Sequence, residues 1–372
     1  MKLLLLKISA SVVLNILLVY QSSAQSNPDY DNYSKKNLAN KTVKAVYNWE
    51  HKQAKQLLTE YAIDQQNSPV APFVEAMILY WQHFPFQKKS RPYNLHIQLL
   101  KKAVKLAEVR LDRQENDYEA SFIKLSARSI IMRHYANFGQ TFKAAGEAKK
   151  VYGLIIDVMD WKRQYPEFYF ITGLYNYYRE YYPENHPVYK PFTIFFKSGD
   201  KQKGLQQLKY AAENAVFTQP EAMAYLAFIY FRCEADPATA LVFYRNLHQL
   251  FPGNLYYLKN YIEALLLEKQ YDKASKLNDV LKKNNAGAFY TASAATFEGM
   301  VDEYYHNDLD NAALHYHKAR NLLEQGLDIY SESLKTYTYA GLANYYLKLG
   351  DEDAATAYKK LAKEYDEYEY VQ

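Results

Sequence analysis

The chain has 372 residues, 49% of them apolar and 23% charged, which is enough apolar material to bury a core and too much for wholesale disorder. Twelve Gly and twelve Pro are few for an all-β protein with many tight turns, whereas abundant Ala, Leu, Lys, Glu and 39 Tyr favour helices. A formal charge of +4, from 45 basic and 41 acidic side chains, leaves no electrostatic case for nucleic acid or an anionic membrane.

The first residues, MKLLLLKISASVVLNILLVYQSSAQ, have a basic start, an apolar middle and small residues at Ser22, Ser23 and Ala24. That order predicts a secretory signal peptide over 1–24, cleaved after Ala24. Asn15 interrupts the apolar run, which disfavours the competing reading, an uncleaved anchor. Removing Lys2 and Lys7 would leave 43 basic against 41 acidic side chains. No Cys stands at the cleavage point to take a lipid. No later stretch approaches the roughly 18 apolar residues that span a bilayer. The expectation is a chain exported to the periplasm or cell envelope, with no transmembrane segment once processed.

Residues 25–34 read as a polar, flexible lead. From Lys35 the pattern predicts successive helices separated by short polar or Pro-containing breaks. Val43–Tyr61 carries apolar Val46, Trp49, Leu57, Leu58 and Tyr61. Val70–Phe84 opens at Pro72 and closes before Pro85. Tyr93–Leu111, Asp117–Ala136 and Thr141–Met159 follow. These make an irregular helical-hairpin region over 35–165.

Residues 166–372 are more regular, with an aromatic, Pro-bearing insert at about 179–197. Small residues recur at Gly204, Ala240, Ala274, Ala312 and Ala355, at spacings of 36, 34, 38 and 43 residues. Small side chains are needed where the two helices of a hairpin cross closely, and a helix–turn–helix repeat of about 34 residues has this period. Asp236-Pro237 is a strong helix start, because the carboxylate caps free amides and Pro suits the first turn. Ala240, Tyr244, Leu247 and Pro252 then mark a second helix and its exit. Leu258, Tyr261, Leu265, Tyr271, Ala274 and Leu281 make the next hairpin. Ala312, Tyr316 and Ala319 mark another second helix, with Gly299 or Met300 at its partner's small position. Leu342, Ala343, Tyr346, Gly350, Ala355 and Ala362 make the last.

These residues, from about Pro166 to Tyr365, resemble tetratricopeptide repeats. The resemblance implies an all-α fold: a right-handed superhelical solenoid of some seven helix-turn-helix hairpins with an extended concave face. GLYNYY, the insert and SGDKQKGLQQLKYA are also similar to tetratricopeptide proteins related to the inclusion-body-clearance family, through Gly173, Pro183, Pro187, Ser198, Gly199, Asp200, Gly204 and Leu205. Taken whole, the chain resembles an exported tetratricopeptide protein of a bacterial envelope. Gly173 and Gly204 read as the crossing points of one hairpin.

No phosphate-cradling glycine loop, GxSxG, HExxH or CxxC occurs, so neither catalysis nor a cofactor is expected. His306, His315 and His317 are the only His cluster, and residues two apart on a helix point about 200° apart, so His315 and His317 do not share a metal. His134 and His248 are expected in partly polar helix seams, and the lone Cys233 as a buried, inert thiol. Phe170, Tyr177 and Tyr181 fall toward the inner face if Gly173 is the crossing residue. They are candidate groove contacts, against the plainer reading that they pack the insert. A clamp for a peptide carboxylate is not expected, because Lys259 is followed one turn on by Glu263. The expected function is non-catalytic protein–protein interaction or assembly through the concave face. The alternative is carbohydrate or peptidoglycan binding in a Tyr-rich groove.

Overall fold

A computed structural model describes residues 33–62, 67–185, 187, 190, 196–284, 286–325 and 330–365. The predicted signal peptide, residues 25–32 of the lead, and parts of the aromatic insert and acidic end lie outside the described residues. The backbone divides after Leu38, and the part that follows holds the fold.

Among the described residues there are sixteen α-helices and no strand: α1 (Tyr33–Tyr47), α2 (His51–Ala62), α3 (Val70–Gln82), α4 (Arg91–Leu111), α5 (Tyr118–Asn137), α6 (Thr141–Val158), α7 (Glu167–Asn185), α8 (Lys201–Asn214), α9 (Gln219–Phe228), α10 (Pro237–Leu250), α11 (Leu255–Leu267), α12 (Tyr271–Lys283), α13 (Ala288–Tyr304), α14 (Leu309–Leu323), α15 (Glu332–Lys348) and α16 (Glu352–Tyr365). From α3 to α16 they pack as seven consecutive pairs. Each pair also rests on the next, and α11, α13 and α15 form one layer of first helices. Sequential packing of this kind is what a helical repeat requires, since each unit buries its apolar face on its neighbours.

The starts of these helices follow from their caps. Ser90 accepts from the amide of Tyr93 with Pro92 in the first turn of α4. Asp117 accepts from Ala120 (2.9 Å), Asp200 from Lys203 (2.9 Å) and Asp236 from Thr239 (3.0 Å). Each satisfies an amide that the helix leaves unpaired. The predicted single helix over Val43–Tyr61 is corrected to two, α1 and α2. Trp49 takes φ 63°, a left-handed conformation that costs a side-chain-bearing residue about 1–2 kcal/mol. What holds it there is long-range: its ring meets Trp81 (6.2 Å) and Tyr290 (5.9 Å).

Close crossings sit where small residues stand. A Cβ on Gly204 would lie 2.7 Å from the Tyr177 amide and 2.8 Å from the Gly173 carbonyl, and one on Gly173 would lie 2.9 Å from Leu208. The two glycines thus let α7 and α8 touch backbone to backbone. In the C-terminal pairs Gly299 fills the small position that the sequence left between it and Met300. The Tyr316 ring of α14 is wedged between Gly299 on α13 and Gly341 on α15. Its hydroxyl donates to Glu303 (2.7 Å), whose other oxygen accepts from Asn344 (2.7 Å).

Glu167 ties α7 to the following pair. Its buried carboxylate accepts from the amides of Val216, Phe217 and Thr218 and from the Thr218 hydroxyl, at 2.6–3.1 Å. Burial pushes this carboxyl up from its ordinary range, and the four donors oppose the rise.

A second set of contacts is not sequential. The Tyr47 hydroxyl at the end of α1 donates to Glu221 of α9 (2.9 Å). Asn254, at the start of α11, donates from its side chain to the Tyr47 carbonyl (2.8 Å), and the Gly253 amide donates to Asn48 (2.8 Å). Trp81, at the end of α3, packs on Tyr256 (6.1 Å) and Tyr257 (5.9 Å). Phe84, just beyond it, packs on Tyr256 (4.9 Å), Phe289 (6.0 Å) and Tyr330 (4.7 Å). The early part of the chain therefore covers part of the layer made by the first helices of the later pairs.

Candidate functional site

Where that cover is incomplete, a cavity of about 390 Å³ remains, at the lower end of the range for small-molecule sites. Its walls come from distant places in the chain, among them Tyr80 and Trp81 on α3, Arg133 on α5, Glu221 to Arg232 on α9 and its extension, and Tyr256 to Glu263 on α11. Tyr330, Glu332, Ser333 and Thr336, at the start of α15, close one side. α9 runs into one π-helical turn, Ile229–Cys233, an irregularity that often re-aims side chains at functional sites. It delivers Arg232 to the cavity wall.

Two of the cavity's cations are spent on one carboxylate. Arg232 donates to one Glu263 oxygen, Lys259 to the other (2.5 Å), and the Tyr337 hydroxyl joins the first (3.1 Å). Burial by itself would raise the Glu263 carboxyl, but the Lys259 and Arg232 charges outweigh it and hold it at about 2. Glu263, expected from sequence to repel an incoming carboxylate, is thus neutralised twice over, and the cluster carries a net positive charge.

Arg133 is different. Its hydrogen bond among the described residues runs from Nη1 to the Tyr225 hydroxyl at 3.3 Å, and Nε–H is buried without an acceptor. Burial opposes its charge, whereas the phenols of Tyr225, Tyr80 and Tyr330 and the carboxylate of Glu221 outweigh that and keep it cationic. Two further buried groups on the cavity wall, Trp81 Nε1 and the Tyr257 hydroxyl, have no hydrogen-bond partner among the described residues. Burial pushes the Tyr80 and Tyr257 phenols well up, and Tyr256 to about 12, so all three keep their protons. The wall therefore sets the Arg133 guanidinium among protonated phenols and aromatic rings, a surface suited to an oxygen-bearing ligand.

The three sequence-predicted contacts lie elsewhere. Tyr177 is fully buried and donates to Glu234 (2.5 Å). Tyr181 stacks on it at 5.5 Å, and Lys201 Nζ sits 5.7 Å from both ring centres. Phe170, two turns earlier on α7, packs on Tyr225 at 5.6 Å, behind the cavity wall. Tyr177 and Tyr181 are brought together, then, as a ring cluster at the α7–α9 seam, and none of the three lines the cavity. Arg133, Tyr80, Trp81, Tyr256 and Tyr330 were missed, because nothing local marks residues up to 250 positions apart as neighbours. The Lys259–Glu263 spacing was the one signal available.

Other candidates resolve into packing. His315 faces Asp302 (3.5 Å) while His317 lies edge-on to Tyr346, so the two rings diverge. Among the described residues no group of three His, Cys, Asp or Glu is placed to share a metal ion. Cys233 is half-buried, and burial pushes its thiol up. No helix among the described residues is long and apolar enough to cross a membrane. Between α11, α13, α15 and α16 a wider groove of about 910 Å³ is lined by Leu266, Met300, Ala343 and Leu347, among others. Comparison with protein-family models and with curated protein sequences returns no match to this chain.

Proposed function

We propose that the protein is a non-catalytic binding protein of the cell envelope, exported by residues 1–24, whose helix pairs form a right-handed, tetratricopeptide-like superhelix. Its ligand is a small polar molecule or the end of a glycan, held in the tyrosine-lined cavity. The observation that carries this reading is an aromatic cavity of ligand size whose wall holds a cationic Arg133, hydrogen-bonded among the described residues to the neutral phenol of Tyr225, beside Trp81, Tyr256 and Tyr257. The cover laid by α1 and α3 favours a compact ligand over an extended peptide along the middle of the inner face.

Ala224 lines the cavity, and a tryptophan there would fill it. Native mass spectrometry of protein purified from an envelope extract should show a co-purifying small molecule that Ala224→Trp lacks. A wild-type protein that carries nothing, and whose melting temperature no sugar or small metabolite raises, would sink the reading. A second reading, protein–protein assembly, has its own support in the wide groove at the C-terminal pairs, where Leu347 is 63% exposed. In that case Leu347→Asp, rather than Ala224→Trp, abolishes capture of a partner.

A further inference from the structure

The chemistry of the cavity narrows its ligand further, on the condition that it is a binding site at all. Arg232 and Lys259 already share the Glu263 carboxylate. That leaves Arg133, whose guanidinium has five N–H groups. The phenol oxygen of Tyr225 engages one of them, and a neutral phenol does not balance the charge. Glu221 lies on the same helix as Tyr225 but accepts from Tyr47, and among the described residues it is not in ion-pair distance of Arg133. Arg133 is half-buried, and a guanidinium bonded to a neutral phenol, with its nearest named carboxylate beyond ion-pair distance, has N–H groups to offer an anion.

We infer that the cavity binds a small ligand through a carboxylate, which pairs with Arg133 while its ring or backbone lies against Trp81 and Tyr256. A guanidinium presents parallel N–H groups that match the two oxygens of a carboxylate. Arg133 and the net positive Arg232–Lys259–Glu263 cluster face the Glu221 and Glu332 carboxylates on the same wall, a balance that suits a monoanion and underserves a phosphate dianion. A volume of about 390 Å³ lies at the lower end for small-molecule sites, which suits a ligand the size of a sugar acid or a dipeptide. These two share the recognised group, and paired probes separate them.

The test is isothermal titration calorimetry on the processed chain with D-glucuronate against D-glucose, with alanyl-alanine against its C-terminal amide, and with inorganic phosphate. At least one carboxylate should bind at least tenfold more tightly than its neutral counterpart. Arg133→Gln should weaken that carboxylate roughly 30-fold and leave its neutral counterpart unchanged. These paired ligands decide the matter on the wild-type protein even if Arg133→Gln does not fold. Neutral partners that bind as tightly as the acids would overturn the carboxylate while leaving the cavity as a site. Phosphate binding above every carboxylate would overturn it too. No binding by any probe, with Ala224→Trp indistinguishable from wild type, would remove both.

Discussion

The two histidines buried between α4 and α5 illustrate how strongly surroundings set one residue's chemistry. His96 donates from Nδ1 to the Ala76 carbonyl (2.8 Å), which leaves its Nε2 to accept from His134 Nε2–H (3.2 Å). Tyr80, Phe86, Tyr93 and Phe138 enclose the pair. Burial lowers His96 to about 4, and burial followed by the neighbouring His96 lowers His134 to about 3. Both rings have folded values below the ordinary 6.5, so the unfolded chain binds more protons in between. Their contribution to stability is therefore complete above about pH 6.5 and is lost as pH falls toward 4 and below. One pKa unit corresponds to about 1.4 kcal/mol, so several kcal/mol depend on these rings staying neutral. The melting temperature should fall clearly between pH 7 and pH 5, and His96→Phe/His134→Phe should flatten that fall. Equal declines in the two proteins would show that the pair does not control it. The reading of His134 as a seam residue needed only its apolar neighbours in sequence. Its partner His96, 38 positions away, was not legible.

At the level of helices, the small positions decide how close neighbours come. The Tyr316 ring is held between α13 and α15, and a Cβ on Gly341 would lie 2.0 Å from it, whereas Gly153 on α6 has open space around its Cα. Gly341→Ala should destabilise by about 2–3 kcal/mol in urea titration, as overpacking does, even though alanine favours helix by about 1 kcal/mol. Gly153→Ala, with that propensity and no clash, should stabilise by up to about 1 kcal/mol. Equal effects at the two sites would contradict the wedge. Most helices were legible beforehand: α4, α5 and α6 end within two residues of expectation because Ser90, Asp117 and flanking breaks mark them locally. The division of Val43–Tyr61 was not legible. Asn48 and Trp49 are pulled into their turn by Gly253 and Tyr290, and no helix propensity records a contact two hundred positions away.

For the molecule as a whole, the same limit explains why the fold class was legible and the cavity was not. Periodicity of small and apolar residues reports what neighbouring helices need. It is silent about which distant surfaces meet, and the cavity is made entirely of such meetings. An array whose units touch only their neighbours behaves as a one-dimensional chain of weakly coupled segments, and such segments can melt one after another. Here Tyr47 is bonded to Glu221 across 174 positions and Asn254 to Tyr47 across 207. These ties make early and late pairs share one fate. Urea unfolding followed by tryptophan fluorescence, with Trp49 and Trp81 in the tie, should coincide with the loss of helical circular dichroism in a single transition. Asn254→Ala, which cuts one strand of it, should pull the two curves apart. Separate transitions in the wild-type protein would mean that the array still melts piecemeal, with its front half fastened to the back but thermodynamically independent of it.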